Sequence, residues 1–202
     1  MEVLSVMSQK GGAGKTTLVV HLAVAAVRSG LKVAVLDADP QGSAMDWAQA
    51  RQSDDVLVVK VSARKLSTEI LNAHDAGFDF VIVDTAPNAG PDSVDVAKLS
   101  TKILIPVRPS SFDLSAVKRT VDVVFEAKKT AWFVLSACPL RAPEISKARE
   151  ALAWYEIPVT ATEIGDRRAF SRAVQTGRAV LEFEPRGKAA AEINALLEEI
   201  MK

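Results

Sequence analysis

A short glycine-rich stretch between a strand pattern and a helix pattern constrains this chain more than any other feature. An apolar run at 3–7 precedes it, and an apolar-periodic run at 18–27 follows it. Glycines let consecutive backbone N–H groups turn towards a polyphosphate, and the helix that follows directs its positive end to the same place. The sequence therefore predicts a phosphate-binding loop, which reads Lys10-Gly11-Gly12-Ala13-Gly14-Lys15-Thr16-Thr17.

Two side chains of this loop have roles that follow from the motif, and a third departs from it. Lys15 supplies a positive charge for the β- and γ-phosphates, and the Thr16 hydroxyl is placed to bind Mg²⁺. The common form of the loop begins with a glycine, but Gln9 stands at that position and Lys10 comes next. A second lysine at the mouth of the loop either strengthens its own phosphate site or reaches the nucleotide of a neighbouring chain.

The pattern of the whole chain favours an α/β fold. Apolar runs alternate with helical patterns, and several runs, such as 80–83 and 103–105, are continuously apolar. Such runs are typical of strands buried on both faces of a parallel sheet. We therefore predict a doubly wound, mostly parallel sheet with helices on both faces, as in P-loop NTPases. We find no linker or repeat, so we expect one domain over 1–202.

Individual elements can also be predicted from these patterns. Strands are expected at 2–7, 32–37, 56–61, 79–84, 102–107 and 131–137, with shorter ones near 157–160 and 180–183. Helices are expected at 15–29, 43–52, 64–76, 92–99, 114–128, 144–155, 168–176 and 187–201.

Acidic residues follow two of the apolar runs. Asp37 and Asp39 come at the end of one run, and Asp84 ends another. Ligands of a parallel sheet bind at the carboxyl ends of its strands, so these carboxylates are expected to lie near the phosphate loop. Buried like charges are costly unless a cation is near, and a nucleotide-bound Mg²⁺ would supply one. Helix capping is the alternative explanation for Asp37 and Asp39.

These motifs together resemble the ParA/MinD family of deviant Walker A ATPases. The loop with its extra lysine, the Asp-x-Asp-Pro-Gln-Gly stretch at 37–42 and the segment 84–87 each match a motif of that family. The chain is most similar to the short plasmid-partition members (ParF-like), which lack an N-terminal helix-turn-helix domain. The resemblance implies a Mg-ATPase that uses ATP and Mg²⁺ and forms a homodimer when it binds ATP.

The resemblance also implies roles for particular residues. Lys10 would cross the dimer interface to the partner's nucleotide, and Asp39 would orient the attacking water. Asp37 would lie near the metal, and Asp84 would hold it with Thr16. The segment after Asp84 would sense the γ-phosphate, with Asn88-Ala89-Gly90 giving it mobility. Backbone groups near Pro109 would read the adenine, although the asparagine that many relatives carry after the next strand is missing here.

Formal net charge is zero, with 25 basic and 25 acidic residues, so bulk charge gives no argument for nucleic-acid binding. Basic residues are nevertheless concentrated in residues 164–188. In the resembling family the ATP dimer binds DNA non-specifically, and a centromere-binding adaptor (ParB/ParG-like) stimulates hydrolysis. We therefore expect a nucleoid-associated cytoplasmic protein, although a solvated mixed-charge face is the alternative for this segment. The candidate DNA-binding residues are Arg167, Arg168, Arg172, Arg178 and Lys188.

Other functions within the same fold fit the sequence less well. A single cysteine, Cys138, argues against a disulfide framework and an Fe–S cluster bound within the chain. A MinD-like membrane regulator would need a basic amphipathic C-terminal helix, but the tail at 189–202 carries Glu192, Glu198 and Glu199. We therefore expect no membrane partner. Positioning of protein cargo and a small-molecule ATP-dependent ligase remain as alternatives to DNA partition.

Overall fold

The computed structural model describes residues 1–87, 92–140 and 142–202, except for the side chains of residues 111–115. The strands are β1 (Glu2–Val6), β2 (Val33–Asp37), β3 (Val56–Lys60), β4 (Phe80–Asp84), β5 (Lys102–Val107) and β6 (Thr130–Leu135). The helices are α1 (Lys15–Arg28), α2 (Ser43–Ala50), α3 (Leu66–Asp75), α4 (Asp92–Leu99), α5 (Ser111–Ala127), α6 (Glu144–Ala153), α7 (Arg168–Gln175), α8 (Val180–Phe183) and α9 (Lys188–Ile200). A single 3-10 turn, Ala63–Lys65, precedes α3.

The strands form one sheet in the order β3-β2-β4-β1-β5-β6, and neighbouring strands pair in parallel. This arrangement confirms the predicted doubly wound α/β fold. The register brings the carboxyl ends of three strands together, because Asp84 pairs with both Val6 and Asp37. The phosphate loop leaves the end of β1, so it starts beside both aspartates.

Two hydrophobic layers cover the sheet, one on each face. On one face α1, α2 and the C-terminal helices α7, α8 and α9 pack on side chains such as Leu4, Val35 and Ile82. On the other face α3, α4, α5 and α6 pack on side chains such as Leu36 and Ile103. Successive residues of one strand therefore reach opposite layers, and both layers are built of buried apolar side chains. This burial explains why the strands read as unbroken apolar runs.

Two of the shorter predicted strands differ from the structure. Residues 180–183 form the helical turn α8, where Val180 and Leu181 are buried and the Glu182 carboxylate accepts a hydrogen bond from the Ala179 N–H at 2.8 Å. Periodicity does not distinguish a four-residue apolar turn from a strand, which explains the error. Residues 157–160 contribute one bridge, Val159 to Phe133, and form no full strand. In the described ranges, no helix is long and apolar enough to cross a membrane.

Candidate functional site

The phosphate loop connects the end of β1 to the start of α1. Gly12 and Gly14 adopt positive φ angles of 73° and 92°, a conformation that glycine reaches without strain. The Ser136 hydroxyl, just beyond β6, donates a hydrogen bond to the Ala13 carbonyl at 2.9 Å and ties the loop to the sheet. The loop borders a cavity of about 330 Å³. The cavity is lined by Gly11, Gly12, Gly14, Lys15, Thr16, Thr17, Asp39, Gln41, Ser43, Pro87 and Arg108.

Lys15 is the buried cation of this cavity, with 6% of its surface exposed. Burial lowers the pKa of its ammonium group, while the nearby carboxylates of Asp84 and Asp39 act in the opposite direction. The charge of Lys15 is therefore costly in the isolated protein. Phosphate oxygens in the cavity would offset that cost by pairing with the ammonium group. In this motif the lysine holds the β- and γ-phosphates.

Thr16 and Asp84 form a polar pair that fits a magnesium ion. The Thr16 hydroxyl donates to Asp84 Oδ2 at 2.6 Å, while Asp84 Oδ1 is buried and has no partner among the described residues. Burial, reinforced by the negative charge of Asp37, raises the pKa of Asp84 to about 7. A cation beside Asp84 would satisfy the orphaned oxygen and stabilise the ionised carboxylate.

Mg²⁺ commonly binds through one or two protein oxygens together with substrate phosphates and waters. In the part of the chain that the structure describes, no three acidic, histidine or cysteine side chains cluster as a protein-only metal site. The pair is therefore suited to an ion that arrives with the nucleotide.

Asp37 and Asp39 differ in what they already contact. Both carboxylate oxygens of Asp37 accept backbone N–H groups, from Asp39 at 3.2 Å and Met45 at 3.0 Å. Burial is the main cause that raises the pKa of Asp37. Asp37 thus anchors the loop that leads into α2, and a direct contact with metal stays a prediction.

Asp39 also caps a turn, because its Oδ1 accepts the Gln41 N–H at 2.9 Å. Unlike Asp37, it lines the phosphate cavity while keeping only 8% of its surface exposed. The capping explanation and the proposed role in orienting water are therefore compatible. Its second oxygen accepts no hydrogen bond from the described residues, and the catalytic role stays a prediction.

Lys10 lies at the edge of the site. Its backbone N–H contacts the Ser8 hydroxyl at 3.4 Å, and the residue lines a small cavity with the end of β5 and the first half of α5. The predicted role of Lys10 concerns a second chain and stays a prediction.

Pro109 follows β5 and is buried. The predicted contact of its backbone with the adenine base stays a prediction. The segment Asn88-Ala89-Gly90 lies outside the described residues.

Arg108 is a charged residue of this cavity that the sequence analysis did not single out. It follows β5 directly, its side chain is exposed, and it lines the phosphate cavity. Its place at the carboxyl end of a parallel strand was a signal for a ligand contact.

The predicted DNA-binding residues divide into two groups. Arg167 forms an ion pair with Glu192, in which its Nε and Nη2 atoms donate to Glu192 Oε1 at 2.9 Å and 2.5 Å. The other four side chains are exposed, and two of them, Arg168 and Arg172, stand one turn apart on α7. Binding of DNA by any of them stays a prediction.

Comparisons with known proteins agree with the geometry of this site. Residues 4–180 match the family model described as the CobQ/CobB/MinD/ParA nucleotide binding domain. The chain is 31% identical to the maintenance of carboxysome distribution protein A of Halothiobacillus neapolitanus, covering 98% of this chain and 95% of that protein. It is 25% identical to a ParA protein of Rhizobium radiobacter, covering 88% and 84% of the two chains.

A solved structure shares the same fold. The septum site-determining protein MinD of Pyrococcus horikoshii, complexed with Mg-ADP, superposes with a TM-score of 0.81 at 19% identity. The match covers 100% of this chain and 96% of that one. The phosphate loop, the magnesium-suited pair and the matching family model together establish that this chain is an ATP- and Mg²⁺-dependent ATPase of the ParA/MinD family.

Proposed function

We propose that this ParA/MinD-type positioning ATPase moves a DNA cargo, as a partition ATPase does. In this proposal ATP binding drives dimerisation, the dimer binds chromosomal DNA without sequence preference, and an adaptor on the cargo stimulates hydrolysis. The observation that supports the proposal is the combination of a nucleotide site with exposed basic side chains outside it. These are Arg168, Arg172, Arg178 and Lys188, and we call this set the basic face below.

The chain's own residues account for binding and hydrolysis of ATP. Lys15 and the loop N–H groups would hold the outer phosphates, while Thr16 and Asp84 would hold the metal ion. Mg²⁺ would supply charge that stabilises the transferring phosphoryl group. Asp39 stands in the same cavity with one oxygen fixed by the Gln41 N–H, so its other oxygen is available to orient a water molecule. The product is ADP and phosphate.

Dimerisation is expected to depend on Lys10. Two nucleotides that face each other across an interface repel, so a cation between them is needed. We expect the chain to be monomeric with ADP and dimeric with a non-hydrolysable ATP analogue. Light scattering on Lys10→Ala with the analogue tests this, and dimerisation equal to wild type would contradict the crossing role.

Dimerisation would also explain how a chain with zero net charge binds DNA. One basic face contributes few phosphate contacts, but two copies on one dimer act together. Binding should then require ATP, ignore sequence and fall steeply with salt. The C-terminal helix offers no competing membrane role, because its apolar residues, among them Ile193, Leu196 and Leu197, are packed into the core beside α1.

The test is retention of random-sequence duplex DNA with ADP or with a non-hydrolysable ATP analogue, across a salt series. We expect the double change Arg168→Glu and Arg172→Glu to weaken the ATP-dependent binding by at least about tenfold. Dimerisation should be unchanged. The charge-matched control is Lys128→Glu with Lys147→Glu, which alters two exposed lysines outside the basic face. An ATP dimer that fails to bind DNA at low salt would overturn the proposal.

A protein cargo is the second candidate. It is favoured by the 31% identity, over nearly the whole chain, to a protein named for maintaining carboxysome distribution. Both candidates share the ATP cycle and the basic face and differ in the adaptor. Loss of the gene should cause loss of a plasmid or chromosome region in the first case, and clustering of a protein compartment in the second. Fluorescence imaging of cells that lack the gene distinguishes the two.

A further inference from the structure

Arg108 presents an unpaired cation to the phosphate cavity. Among the described residues its side chain makes no hydrogen bond or ion pair, and that side chain is exposed. Its Nη2 atom lies 4.0 Å from the position that a Cβ atom on Gly12 would occupy. The guanidinium therefore lies over the loop that cradles the phosphates, in the same cavity as Lys15 and Thr16.

The backbone of Arg108 is held on both sides, although its side chain is not. The Ser136 N–H donates to the Val107 carbonyl at 2.9 Å, and the Ser110 N–H donates to the Arg108 carbonyl at 2.7 Å. Pro109, which is buried, fixes the next φ angle. The Cα position of Arg108 is thus set by the end of β5, so the side chain starts from a defined point at the mouth of the cavity.

The net charge of the cavity with nucleotide bound favours an additional cation. The positive charge of Lys15 is opposed by the carboxylates of Asp84 and Asp39, which act on its pKa. A nucleoside triphosphate with one Mg²⁺ adds net negative charge to these carboxylates. A guanidinium matches phosphate oxygens with two parallel N–H groups, which makes arginine suited to this contact.

The position of Arg108 indicates which phosphates it meets. The cavity wall also includes Asp39, the residue that we expect to orient the water attacking the terminal phosphate. We propose that Arg108 binds the β- and γ-phosphates of ATP in its own chain and stabilises negative charge on them during hydrolysis. This inference rests on the ATPase assignment and is independent of the cargo.

The test compares Arg108→Ala and Arg108→Lys with wild type in equilibrium binding of a slowly hydrolysed ATP analogue and of ADP. Binding is measured by titration calorimetry at a concentration where the chain is monomeric. We expect Arg108→Ala to weaken the ATP analogue about tenfold and ADP by less than about twofold, because the contact to the γ-phosphate is lost. Arg108→Lys should recover part of the affinity, since it keeps the charge but loses the planar fork.

Single-turnover hydrolysis by Arg108→Ala should slow beyond the binding defect if the charge develops in the transition state. Arg119→Ala is the matched control, because it removes another exposed arginine that does not line the cavity. Folding of Arg108→Ala is checked by thermal denaturation, and no change is expected because the side chain has no partner to lose.

Three outcomes would overturn the inference. Unchanged analogue affinity and hydrolysis would exclude any phosphate contact, and equal losses for the analogue and ADP would exclude the γ-phosphate. A defect that appears only at concentrations where the chain dimerises would move Arg108 to the partner's nucleotide. Failure of the ATPase assignment is distinguishable, because Lys15→Met would then retain nucleotide binding whereas an error about Arg108 alone leaves that variant defective.

Discussion

Two charged regions of the molecule differ in where their charges find partners. In the phosphate site, Lys15 is buried, and neither Asp84 Oδ1 nor the Arg108 side chain has a partner among the described residues. The second region, which we call the C-terminal region, is the place where α7 and α8 meet the end of α2. There the Arg51 guanidinium is 3% exposed and binds Asp55 and Glu182 at 2.8–2.9 Å. Arg167 is likewise bound to Glu192. In the second region Arg51 and Arg167 have protein partners for their charges, whereas the charges of the phosphate site have few.

This difference separates charges that support the fold from charges that await a ligand. A buried ion pair whose partners are both protein groups is destabilised when one member is removed. A buried charge without a protein partner lowers the stability of the free protein, and binding of a ligand offsets that cost. Substitution of a paired charge in the C-terminal region should therefore lower stability and leave nucleotide binding unchanged. Substitution of a charge in the phosphate site should weaken nucleotide binding without lowering stability.

The largest expected effect lies in the C-terminal region, at Gly177. This residue has φ +67°, and an added Cβ atom would lie 2.3 Å from the backbone carbon of Ala50. Because that atom belongs to the backbone, it has little freedom to move. Gly177→Ala should lower the free energy of unfolding by about 4 kcal/mol, from the clash and the positive φ together.

Gly77 gives the matched control for this prediction. Its φ is +73°, but no atom lies within 4 Å of an added Cβ. Gly77→Ala should therefore cost only the conformational term, about 1 kcal/mol. Urea denaturation of both variants measures the difference. Equal losses would mean that the contact with Ala50 relaxes.

The next effect concerns Lys15 and should appear in binding. Lys15→Met keeps the apolar stem and removes the buried ammonium group. Affinity for Mg-ATP should fall at least about 100-fold because the outer phosphates lose their main charge. The free protein should be as stable as wild type or more stable, because burial of the ammonium group is no longer required.

Titration calorimetry and urea denaturation of Lys15→Met test the two parts separately. Lys188→Met is the control, since it removes an exposed lysine outside the cavity. Micromolar ATP binding by Lys15→Met would contradict the phosphate-loop assignment. A large loss of stability in the free protein would instead show that Lys15 supports the fold.

Much of the phosphate site was predictable because its signals are local or fixed by topology. The glycines and Lys15 belong to one continuous motif, and Asp37 and Asp84 follow two apolar runs. Parallel strands end at one edge of the sheet, so these distant carboxylates are brought together without knowledge of any side-chain contact. The register that pairs Asp37 with Asp84 confirms this expectation.

The C-terminal region was less predictable because its contacts join residues far apart in sequence. Arg51 and Glu182 are separated by 131 residues, and Gly177 approaches the end of α2. Neither contact leaves a periodic signal in the sequence. The apolar run at 180–183 therefore predicts a strand where α8 forms, and the sequence does not distinguish the paired Arg167 from the exposed Arg168. Arg108 was missed for a related reason, since one residue after a strand becomes significant only when its neighbours in space are known.

The next prediction concerns Arg51, a charge in the C-terminal region that is paired within the protein. Its side chain also stacks on Trp47, with the guanidinium carbon 4.9 Å from the ring. Arg51→Met keeps apolar contact with Trp47 but leaves Glu182 and Asp55 without their cation. Because these carboxylates are partly exposed, we expect a loss of about 2 kcal/mol in the free energy of unfolding, below the cost of breaking a fully buried pair.

Nucleotide affinity of Arg51→Met should match wild type at a temperature where the variant is folded. Arg178→Met is the control for stability, because that side chain is exposed and the hydrogen bonds of Arg178 are made by its backbone, whose N–H donates to the Ala173 carbonyl at 3.0 Å and whose carbonyl accepts the Trp47 indole N–H at 3.1 Å. A strong loss of ATP affinity in Arg51→Met would contradict the separation of the two regions.

The smallest expected effect comes from His21, which lies in α1 between the two regions. The imidazole is fully buried, and its Nδ1 accepts the Val180 N–H at 3.1 Å. Burial lowers its pKa to about 3, with Glu182 acting weakly in the other direction. The folded state therefore keeps His21 neutral in a range where the unfolded chain binds a proton.

The sign of the pH dependence follows from this difference in proton uptake. Below the unfolded pKa of about 6.5 the unfolded state binds more protons, so stability falls as the pH is lowered from 6.5 towards 3. Between pH 7.5 and 5.5 the His21 contribution is a loss of about 1.4 kcal/mol. Asp84, with its pKa raised to about 7, takes up a proton in the folded state over the same range and acts in the opposite direction, so the His21 contribution is measured as a difference between variants. In His21→Asn, where an amide oxygen replaces Nδ1 as acceptor, the His21 loss should disappear, so urea denaturation should show stability changing from pH 7.5 to 5.5 by about 1.4 kcal/mol less unfavourably than in wild type or in His74→Asn, which removes an exposed imidazole. The same pH dependence in His21→Asn and wild type would mean that α1 tolerates a charged His21.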